Sequence, residues 1–220
     1  MNREIIQTAD GSTTIHLIDL DESYHSKHGA IQEAYHVFIK NGLSLFQGES
    51  VSILEIGFGT GLNTFITYLE GLKSNHTICY TGIEAYPISA TEVTQMNYVN
   101  ELHAKDSASI FELIHQCTWE EQQHISSKFN LTKRQQFFHD INDVNTYNLI
   151  YFDAFGFRVQ PELWSEEIFQ LMFNSLKKGG VLVTYACRSS IKKAMLAVGF
   201  EVEKLPGAPG KREMLRAFKR

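Results

Sequence analysis

EIGFGTGLN, residues 55–63, is the most informative stretch of this chain. It follows an apolar run, residues 51–56, that is typical of a buried strand, and it precedes residues spaced as one helix face, Phe65, Ile66, Tyr68 and Leu69. Glycine lacks a Cβ and adopts positive φ freely, so Gly57, Gly59 and Gly61 would let the turn lie against a ligand. Such strings also arise by chance, but a strand before this one and a helix after it predict a nucleotide-binding turn.

Two acidic residues accompany this turn. Glu55 precedes the glycines, where a carboxylate would repel a pyrophosphate and attract the α-ammonium group of S-adenosylmethionine. Glu84 follows the next apolar run, residues 77–83, and in nucleotide-binding α/β folds a carboxylate about 20 residues past the glycines binds the ribose hydroxyls. A solvated charge at a strand end is the alternative for Glu84. The two acids together favour S-adenosylmethionine over a dinucleotide as the cofactor.

Length and composition predict one globular domain, since 220 residues with 43% hydrophobic side chains can bury a sizeable core. No apolar run approaches the roughly 20 residues of a membrane span, and the N-terminus lacks the pattern of an export signal. Three widely spaced cysteines and nine histidines show neither disulfide nor metal-site spacing. We therefore expect a cytoplasmic protein with no metal ion and no membrane partner; no protein partner can be identified.

The charge is distributed unevenly along the chain. The net charge is −5, yet residues 177–220 hold eleven Lys and Arg against three Glu, which gives +8. The remaining 176 residues hold nine Lys and Arg against twenty-two Asp and Glu, which gives −13. Such asymmetry suggests an anionic partner, because nucleic acid needs only a local basic surface. A solvated basic tail is the alternative.

Strands and helices alternate along most of the chain, which predicts an α/β protein with a doubly wound, mostly parallel sheet. Residues 1–20 are predicted to form a hairpin or extended cap, and residues 200–218 a closing hairpin that adds an antiparallel strand. We predict further helices over 30–40, 89–99, 106–116, 165–176 and 190–197, and further strands over 130–138, 147–152 and 181–185. Gly179 and Gly180 are predicted to end the fourth of these helices.

Ligands of such sheets bind outside the carboxyl ends of the strands. Asp140 and Ile141 follow the predicted strand 130–138, where the carboxylate could accept a hydrogen bond from an adenine amino group and Ile141 could pack on the ring. An ordinary acidic loop is the alternative.

The loop after strand 147–152 is the predicted acceptor side. Asp153 suits methylation of an amine, because a carboxylate can orient the neutral amine and receive its proton. Phe155, Phe157 and Trp164 could stack on an unstacked RNA base, although packing in the core is the alternative for at least one of them.

Several segments, taken together, resemble the methyltransferase domain of the bacterial bifunctional enzyme that completes 5-methylaminomethyl-2-thiouridine at the tRNA wobble position. They run in the family's order over residues 24–215: YHSKHGAIQEAYHVFI, LEIGFGTGLNTF, HDIND, YFDAF with PELWSEEIF, and GAPGKREML. EIGFGTGLN and PGKREML together are specific, whereas either alone would not be.

The resemblance implies a Rossmann-like methyltransferase fold and methyl transfer to the aminomethyl nitrogen of the modified uridine in tRNA. From the small size of the domain, we expect it to contact the anticodon region of the tRNA. The resemblance implies cofactor contacts from Glu55, Gly57, Gly59, Gly61, Asn63, Glu84, Asp140 and Ile141. It also implies Asp153 as the catalytic residue and substrate contacts from Tyr24, Ser26, Phe155, Trp164, Lys211, Arg212 and Glu213. We expect residues 1–45 to form a cap segment packed on the methyltransferase domain, residues 46–220.

Two departures from the family stand out. The bifunctional enzymes carry a second, FAD-dependent domain, and this chain ends just past KREML, so we expect a stand-alone methyltransferase that uses S-adenosylmethionine and no FAD. The family's Asp-Ala-Phe-Ala-Pro pattern is DAFGF at residues 153–157, which leaves the shape of the acceptor loop open.

Three other functions stay open on the sequence. A strand-end aspartate also suits methyl or aminopropyl transfer to a small amine. A nicotinamide oxidoreductase is disfavoured by Glu55 and by the absence of an obvious His or Tyr hydride site. A non-catalytic binding module is disfavoured by the intact Asp153 loop.

Overall fold

The computed structural model describes residues 2–47, 50–74 and 76–220, and the strands of these residues lie in two sheets. A small antiparallel sheet consists of β1 (Arg3–Gln7), β2 (Thr13–Leu17) and β3 (Glu22–Ser23). The strands of the larger sheet are β4 (Ser50–Ile56), β5 (Thr77–Ile83), β6 (Gln122–Ser126), β7 (Phe129–Arg134), β8 (Tyr147–Phe152), β9 (Leu176–Thr184), β10 (Glu201–Pro206) and β11 (Glu213–Phe218).

The α-helices of the described residues are α1 (Ala30–Ala34), α2 (Leu62–Ser74), α3 (Ala90–Thr94), α4 (Tyr98–Glu101), α5 (Ala108–Gln116), α6 (Glu166–Ser175) and α7 (Ser189–Ala197). A π-helix, Tyr35–Lys40, continues α1. Short 3-10 turns lie at Ile18–Leu20, Leu43–Leu45, Lys105–Ser107, Phe138–Asp140 and Pro161–Trp164.

The larger sheet has the order β10-β11-β9-β8-β4-β5-β7-β6. Its five central strands are parallel, and the outer strands β10, β11 and β6 pair antiparallel. The chain leaves β4 towards β5 and returns to β8 on the other side, so the strand order reverses between β4 and β8. In open α/β sheets a ligand crevice forms at the carboxyl ends of the strands at this point.

Both faces of the sheet are covered, because the central strands bury side chains in both directions. Ile53, Leu149 and Tyr151 face a core shared with α1, α2 and α5, whereas the alternate residues Leu54 and Ile150 face a core shared with α6 and α7. The predicted doubly wound, mostly parallel sheet with a C-terminal antiparallel hairpin is confirmed.

The glycine pair at 179–180 was predicted to end a helix, and that prediction is wrong. Helix α6 begins after its N-cap Ser165, as predicted, but it ends at Ser175. The glycines lie within β9, where the Gly179 N–H donates to the carbonyl of Lys219 at 2.7 Å and the pairing with β8 shifts register. Gly179 has a φ of +78°, which favours glycine at such a bulge.

Two further elements differ from their predictions. The predicted helix 89–99 is split, because the Asn97 side chain turns to the N-terminal hairpin and accepts the Thr13 N–H at 2.8 Å. Strand β6 was not predicted, because its sequence QQHIS lacks an apolar alternation and forms a polar edge of the sheet.

The N-terminal residues share the core of the larger sheet. Ile15, Leu17, Val37 and Phe38 are buried in the same apolar cluster as the side chains of β4 and α2. The domain boundary at residue 45 stays a prediction. Residues 1, 48, 49 and 75, which fall within the two predicted segments, lie outside the described residues.

Candidate active site

The glycine turn between β4 and α2 lies at the reversal of strand order. Gly57, Gly59 and Gly61 have φ angles of +90°, +51° and +72°, a region that favours glycine. A Cβ at Gly57 would lie 2.6 Å from the carbonyl oxygen of Asp153, so the turn packs directly on the loop after β8. The Gly57 and Phe58 N–H groups both donate to the carbonyl of Ile83 at the end of β5. The turn is thereby held against both neighbouring strands.

Glu84, at the end of β5, is bound to this turn. One carboxylate oxygen accepts the Gly59 N–H at 3.0 Å and the other accepts the Tyr86 N–H at 2.9 Å. The side chain also lines the cavity at the carboxyl edge of the sheet. Each oxygen keeps a lone pair, so the carboxylate can accept hydrogen bonds from two ligand hydroxyl groups.

Glu55 lies near the end of β4, and its side chain is directed to α2. Its side chain is fully buried, accepts a hydrogen bond from the Thr64 hydroxyl at 2.9 Å and does not line the cavity. Burial raises the pKa of this carboxyl to about 8. Glu55 is the penultimate residue of β4, and its side chain points beneath α2, so contact with the cofactor ammonium stays a prediction.

A cavity of about 360 Å³ extends from the glycine turn along the carboxyl ends of β5, β7 and β8. Its volume lies within the roughly 300–1,000 Å³ typical of small-molecule sites. Of the residues predicted for the site, the cavity is lined by Tyr24, Gly57, Gly59, Glu84, Asp153 and Phe155. The structure brings these six together from four separate parts of the chain.

Asp153 lies where the glycine turn meets the loop after β8. Its N–H donates to the carbonyl of Ile56 at 2.9 Å, and its carboxylate accepts a hydrogen bond from the Asn63 amide at 2.8 Å. Burial and the nearby carboxylate of Glu33 raise its pKa to about 7, although the Asn63 hydrogen bond and the Lys211 charge act in the opposite direction. A carboxyl group with a pKa near neutrality can exchange a proton at physiological pH.

Asn63 was predicted to contact the cofactor, but it does not line the cavity. It is buried at the start of α2, and its side-chain oxygen has no hydrogen-bond partner among the described residues. Its amide instead orients Asp153. Gly61 likewise lies behind the cavity, where a Cβ would be 2.8 Å from the His115 ring.

Glu33 and Lys211 form an ion pair beside Asp153. The Lys211 ammonium contacts the Glu33 carboxylate, which is only 7% exposed, and lies 3.7 Å from the centroid of the Tyr185 ring. The Tyr185 hydroxyl donates to the carbonyl of Ala154 at 2.8 Å. Lys211 therefore anchors the β10–β11 loop to the Asp153 loop, and it is not among the residues that line the cavity.

Of the three predicted aromatic residues, Phe155 lines the cavity and packs edge-on against Tyr24, with ring centroids 5.1 Å apart. Phe157 lies further along the loop beneath the Arg188 guanidinium. The position of Trp164 differs from the predicted stacking surface, because this side chain is 2% exposed and packs on Phe152 in the core. A side chain buried in this way cannot stack on a base. Its indole N–H donates a hydrogen bond to the Phe155 carbonyl at 2.8 Å.

The two residues predicted to contact adenine, Asp140 and Ile141, are not among the residues that line the cavity. Asp140 is exposed and lies 3.5 Å from His139, and Ile141 is buried in the core beneath the loop, so neither lines the cavity. Phe137 and His139 line the cavity at this position, and their rings stack with centroids 5.4 Å apart. Asp140 is the last residue of the 3-10 turn Phe138–Asp140, in which His139 lines the cavity and Asp140 does not.

The remaining predicted substrate residues lie outside the cavity. The Ser26 hydroxyl accepts the His28 N–H within its own loop. Arg212 is exposed at the tip of the β10–β11 loop, and Glu213 pairs with Lys204 at 3.0 Å across the hairpin.

Sequence reasoning missed several residues of this site. Tyr86 and Phe137 form an exposed aromatic wall of the cavity, and their positions just after β5 and β7 were the available signal. Glu33 lies within a segment that resembles the family but carries no pattern of its own. Arg3 lines the cavity from the N-terminal hairpin, and nothing local in the sequence indicates this.

Two negative findings complete the description. No group of three or more His, Cys, Asp or Glu side chains in residues 2–47, 50–74 and 76–220 is arranged to hold a metal ion. None of the helices in the described part of the chain combines the length and the apolar composition that crossing a bilayer requires.

A doubly wound α/β sheet with a glycine turn and a strand-end carboxylate at its reversal point defines a Rossmann-like protein that binds a nucleotide cofactor. A family model described as S-adenosyl-L-methionine-dependent methyltransferase matches residues 99–220, more than half of the chain. The chain belongs to this family of S-adenosylmethionine-dependent methyltransferases.

Curated relatives share the name tRNA 5-methylaminomethyl-2-thiouridine biosynthesis bifunctional protein MnmC. The protein of Actinobacillus pleuropneumoniae is 28% identical over 89% of this chain, and that of Leptospira borgpetersenii is 29% identical over 89%. This chain spans only about a third of the length of these relatives, 32% in both cases.

Solved structures agree in fold. MnmC2 from Aquifex aeolicus matches with a TM-score of 0.80 and 22% identity, over 100% of this chain and 70% of that one. Spermidine synthase from Thermotoga maritima matches with a TM-score of 0.53 and 14% identity, over 100% of this chain and 73% of that one. At these identities the likeness concerns the fold.

Proposed function

We propose that this chain transfers the methyl group of S-adenosylmethionine to the aminomethyl nitrogen of 5-aminomethyl-2-thiouridine at the wobble position of tRNA. The printed names of the curated relatives motivate the substrate. The observation that carries the proposal is the Asp153 carboxylate, held by Asn63 at 2.8 Å beside the glycine turn and open to the cavity. An amine bound there would lie next to the cofactor.

The residues present fit this cofactor. The turn at Gly57 and Gly59 has no side chains at the cavity wall, and Glu84 offers free lone pairs to the ribose hydroxyls. Tyr86 and Phe137 supply apolar walls for the adenine ring, and Asp140 would reach it only if the 3-10 turn rotated inwards. When bound, S-adenosylmethionine would supply a methyl group on a sulfonium, from which a neutral thioether is an excellent leaving group.

The residues of this chain would place the amine next to the cofactor and accept one proton from it. The proposed base is Asp153, which orients the neutral amine by a hydrogen bond and accepts a proton as the new N–C bond forms. Its raised pKa of about 7 suits this exchange. Tyr24 and Phe155 would hold the uracil ring at the mouth of the cavity. Holding donor and acceptor in line supplies much of the rate enhancement.

Other expectations extend this proposal. We propose that residues 1–45 form a cap that closes the cofactor cavity, since Arg3 and Tyr24 line it. The anticodon region of tRNA is the proposed contact, and a tRNA substrate favours a cytoplasmic location. The other proposed substrate residues are Lys211 and Arg212, as part of the loop beside Asp153.

The proposal is tested by incubating the protein with methyl-labelled S-adenosylmethionine and tRNA that carries 5-aminomethyl-2-thiouridine, followed by nucleoside analysis. We expect label in 5-methylaminomethyl-2-thiouridine. Asp153→Asn should lower turnover by about 10²-fold or more while it keeps cofactor binding, because a general base contributes roughly 10²- to 10⁴-fold. The matched control is Asp106→Asn, at an exposed position remote from the cavity. Wild-type turnover in Asp153→Asn would remove Asp153 from the mechanism.

A small amine is the competing acceptor, since the same carboxylate could bind it. Label recovered in a polyamine instead of in tRNA would replace the proposed substrate and leave the cofactor unchanged. Salt separates the two acceptors as well. Binding through phosphates weakens steeply as salt rises, whereas binding of a small amine does not follow this law.

A further inference from the structure

A group of four cations, three of them exposed and Lys192 partly buried, lies at the rim of the sheet beyond Asp153. Arg188 is the N-cap residue of α7, and its carbonyl accepts the N–H of Lys192, one helical turn later, at 3.0 Å. Arg212 lies at the tip of the β10–β11 loop, and Lys204 lies on β10 beside it. We call Arg188, Lys192, Lys204 and Arg212 the α7 basic surface.

These cations are poorly neutralised. Lys204 pairs with Glu213 at 3.0 Å, and Glu213 in turn accepts a contact from the Cys187 thiol next to Arg188 at 3.6 Å. Within the part of the chain that the structure describes, Arg188, Lys192 and Arg212 have no carboxylate within 4.0 Å. Four cations against one carboxylate leave this surface with a net charge of +3.

Other cations of the C-terminal region form ion pairs or hydrogen bonds within the protein. Arg216 pairs with Glu203, Arg220 pairs with Glu201 at 2.7 Å, and Lys219 donates to the carbonyl of Leu176 at 2.7 Å. Of the eleven Lys and Arg side chains in residues 177–220, seven have no carboxylate partner among the described residues, and three of these seven, Arg188, Lys192 and Arg212, lie on this surface. In a chain of net charge −5, such a patch is a local attraction for polyanions.

The surface is joined to the acceptor loop by direct contacts. The Arg188 guanidinium carbon lies 4.6 Å from the centroid of the Phe157 ring, in the same loop as Asp153. Lys211, the neighbour of Arg212, lies over Tyr185, whose hydroxyl binds the carbonyl of Ala154. A chain bound along this surface would therefore pass beside the mouth of the cavity.

We infer that the α7 basic surface binds the phosphates of the RNA strand next to the nucleotide that is methylated at Asp153. This inference rests on the proposed function. Exposed arginine and lysine side chains position nucleic acid through phosphate contacts, which are independent of sequence. The surface would thus set the register of the RNA, and the cavity would select the modified base.

The test compares two triple variants with equal loss of charge. The surface variant is Arg188→Gln, Lys192→Gln and Arg212→Gln. The control variant is Lys40→Gln, Lys105→Gln and Lys178→Gln, at exposed positions away from the surface and the cavity. Affinity for tRNA is measured by filter binding as a function of salt, and methyl transfer gives KM and kcat. Thermal melting and S-adenosylmethionine binding check that all proteins are folded.

We expect the surface variant to raise KM for tRNA by about tenfold or more, with kcat little changed. The slope of log affinity against log salt should become shallower by about 2 to 3, since each lost phosphate contact removes roughly 0.7 to 0.9. The control variant should keep the wild-type slope.

Equal slopes and KM values in the surface and control variants, with tRNA methylated by the wild type, would overturn this inference and leave the proposed function intact. The inference would also be overturned, in favour of a membrane surface, if the surface variant lost affinity for anionic phosphatidylglycerol vesicles while its affinity for tRNA stayed unchanged. A wild type that binds no tRNA would end both proposals.

Discussion

Asp153 is held between groups that shift its pKa in opposite directions. Glu33 raises the pKa through its negative charge, and Asn63 lowers it by donating a hydrogen bond to the carboxylate at 2.8 Å. Burial adds the largest upward shift, and the result lies near 7. Burial and these neighbours together therefore set the pH at which the proposed base becomes active.

This balance predicts the pH profile of methyl transfer. We expect kcat/KM to rise with pH through a midpoint near 7, because Asp153 must lose its proton before it can accept one. Asn63→Ala should move the midpoint to higher pH, and Glu33→Gln should move it to lower pH. Profiles of the three proteins on one tRNA substrate measure this, since the titration of the substrate amine is common to all. Midpoints that coincide would exclude Asp153 as the titrating group.

Glu55 predicts a pH dependence of stability. Burial raises its pKa in the folded protein from about 4.5 to about 8, so between these values the folded state keeps a proton that the unfolded state releases. Its contribution is fully present below about pH 4.5 and is lost as the pH rises through 8. The free energy of unfolding should fall by up to about 1.4 kcal/mol per pH unit across this window.

Glu55→Gln should remove this part of the slope, because glutamine does not titrate. Urea unfolding at several pH values measures it, with Glu112→Gln at an exposed position as the control. The raised pKa of Asp153 leaves the variant a smaller slope of the same sign. A slope identical to that of the wild type would show that Glu55 is ionised in the folded protein.

The turn between β4 and α2 tolerates no side chain at Gly57. Alanine there would adopt a φ of +90° and bring its Cβ to 2.6 Å from the carbonyl of Asp153, which is backbone and cannot rotate away. Gly57→Ala should lower the free energy of unfolding by more than about 2 kcal/mol and abolish cofactor binding. Chemical denaturation and calorimetric titration with S-adenosylmethionine measure the two effects.

Gly179 offers the matched control. It has a φ of +78°, but a Cβ there would meet no atom within 4 Å. Gly179→Ala should lower the free energy of unfolding by only about 1 kcal/mol, because alanine must adopt the left-handed backbone conformation, and it should leave cofactor binding unchanged. Equal losses at both positions would mean that backbone conformation alone, and not contact with Asp153, requires glycine at 57.

The small N-terminal sheet is coupled through Arg3 to the cavity at the carboxyl edge of the larger sheet. Its guanidinium donates to the carbonyl of Tyr86 at 3.1 Å and pairs with Glu92 at 3.2 Å, and it lines the cavity. Arg3→Gln should weaken S-adenosylmethionine binding by about three- to tenfold, because Tyr86 loses its support; tenfold corresponds to about 1.4 kcal/mol. Calorimetric titration measures this.

Arg220→Gln is the control for that experiment, since Arg220 pairs with Glu201 on the outermost strand β10. If Arg3→Gln and Arg220→Gln bind the cofactor equally well, the N-terminal sheet has no part in holding it.

The order of elements could be predicted from residues 55–63, 77–83 and 147–152, because periodic apolar side chains and glycine turns act locally. The glycine turn after β4 and the acidic residue at the end of β5 followed from the same patterns. These features depend on residues within a few positions of one another, and for that reason they can be predicted from the sequence alone.

Other features depend on which distant segments meet. Trp164 is buried and Glu55 is turned beneath α2 because the packing of neighbouring helices decides the direction of a side chain. Glu33 approaches Asp153 across 120 positions of the chain, and Lys211 reaches Glu33 only through the closing hairpin. Local periodicity specifies elements, whereas the orientation and pairing of charged side chains are set by long-range packing, which no short stretch of sequence encodes.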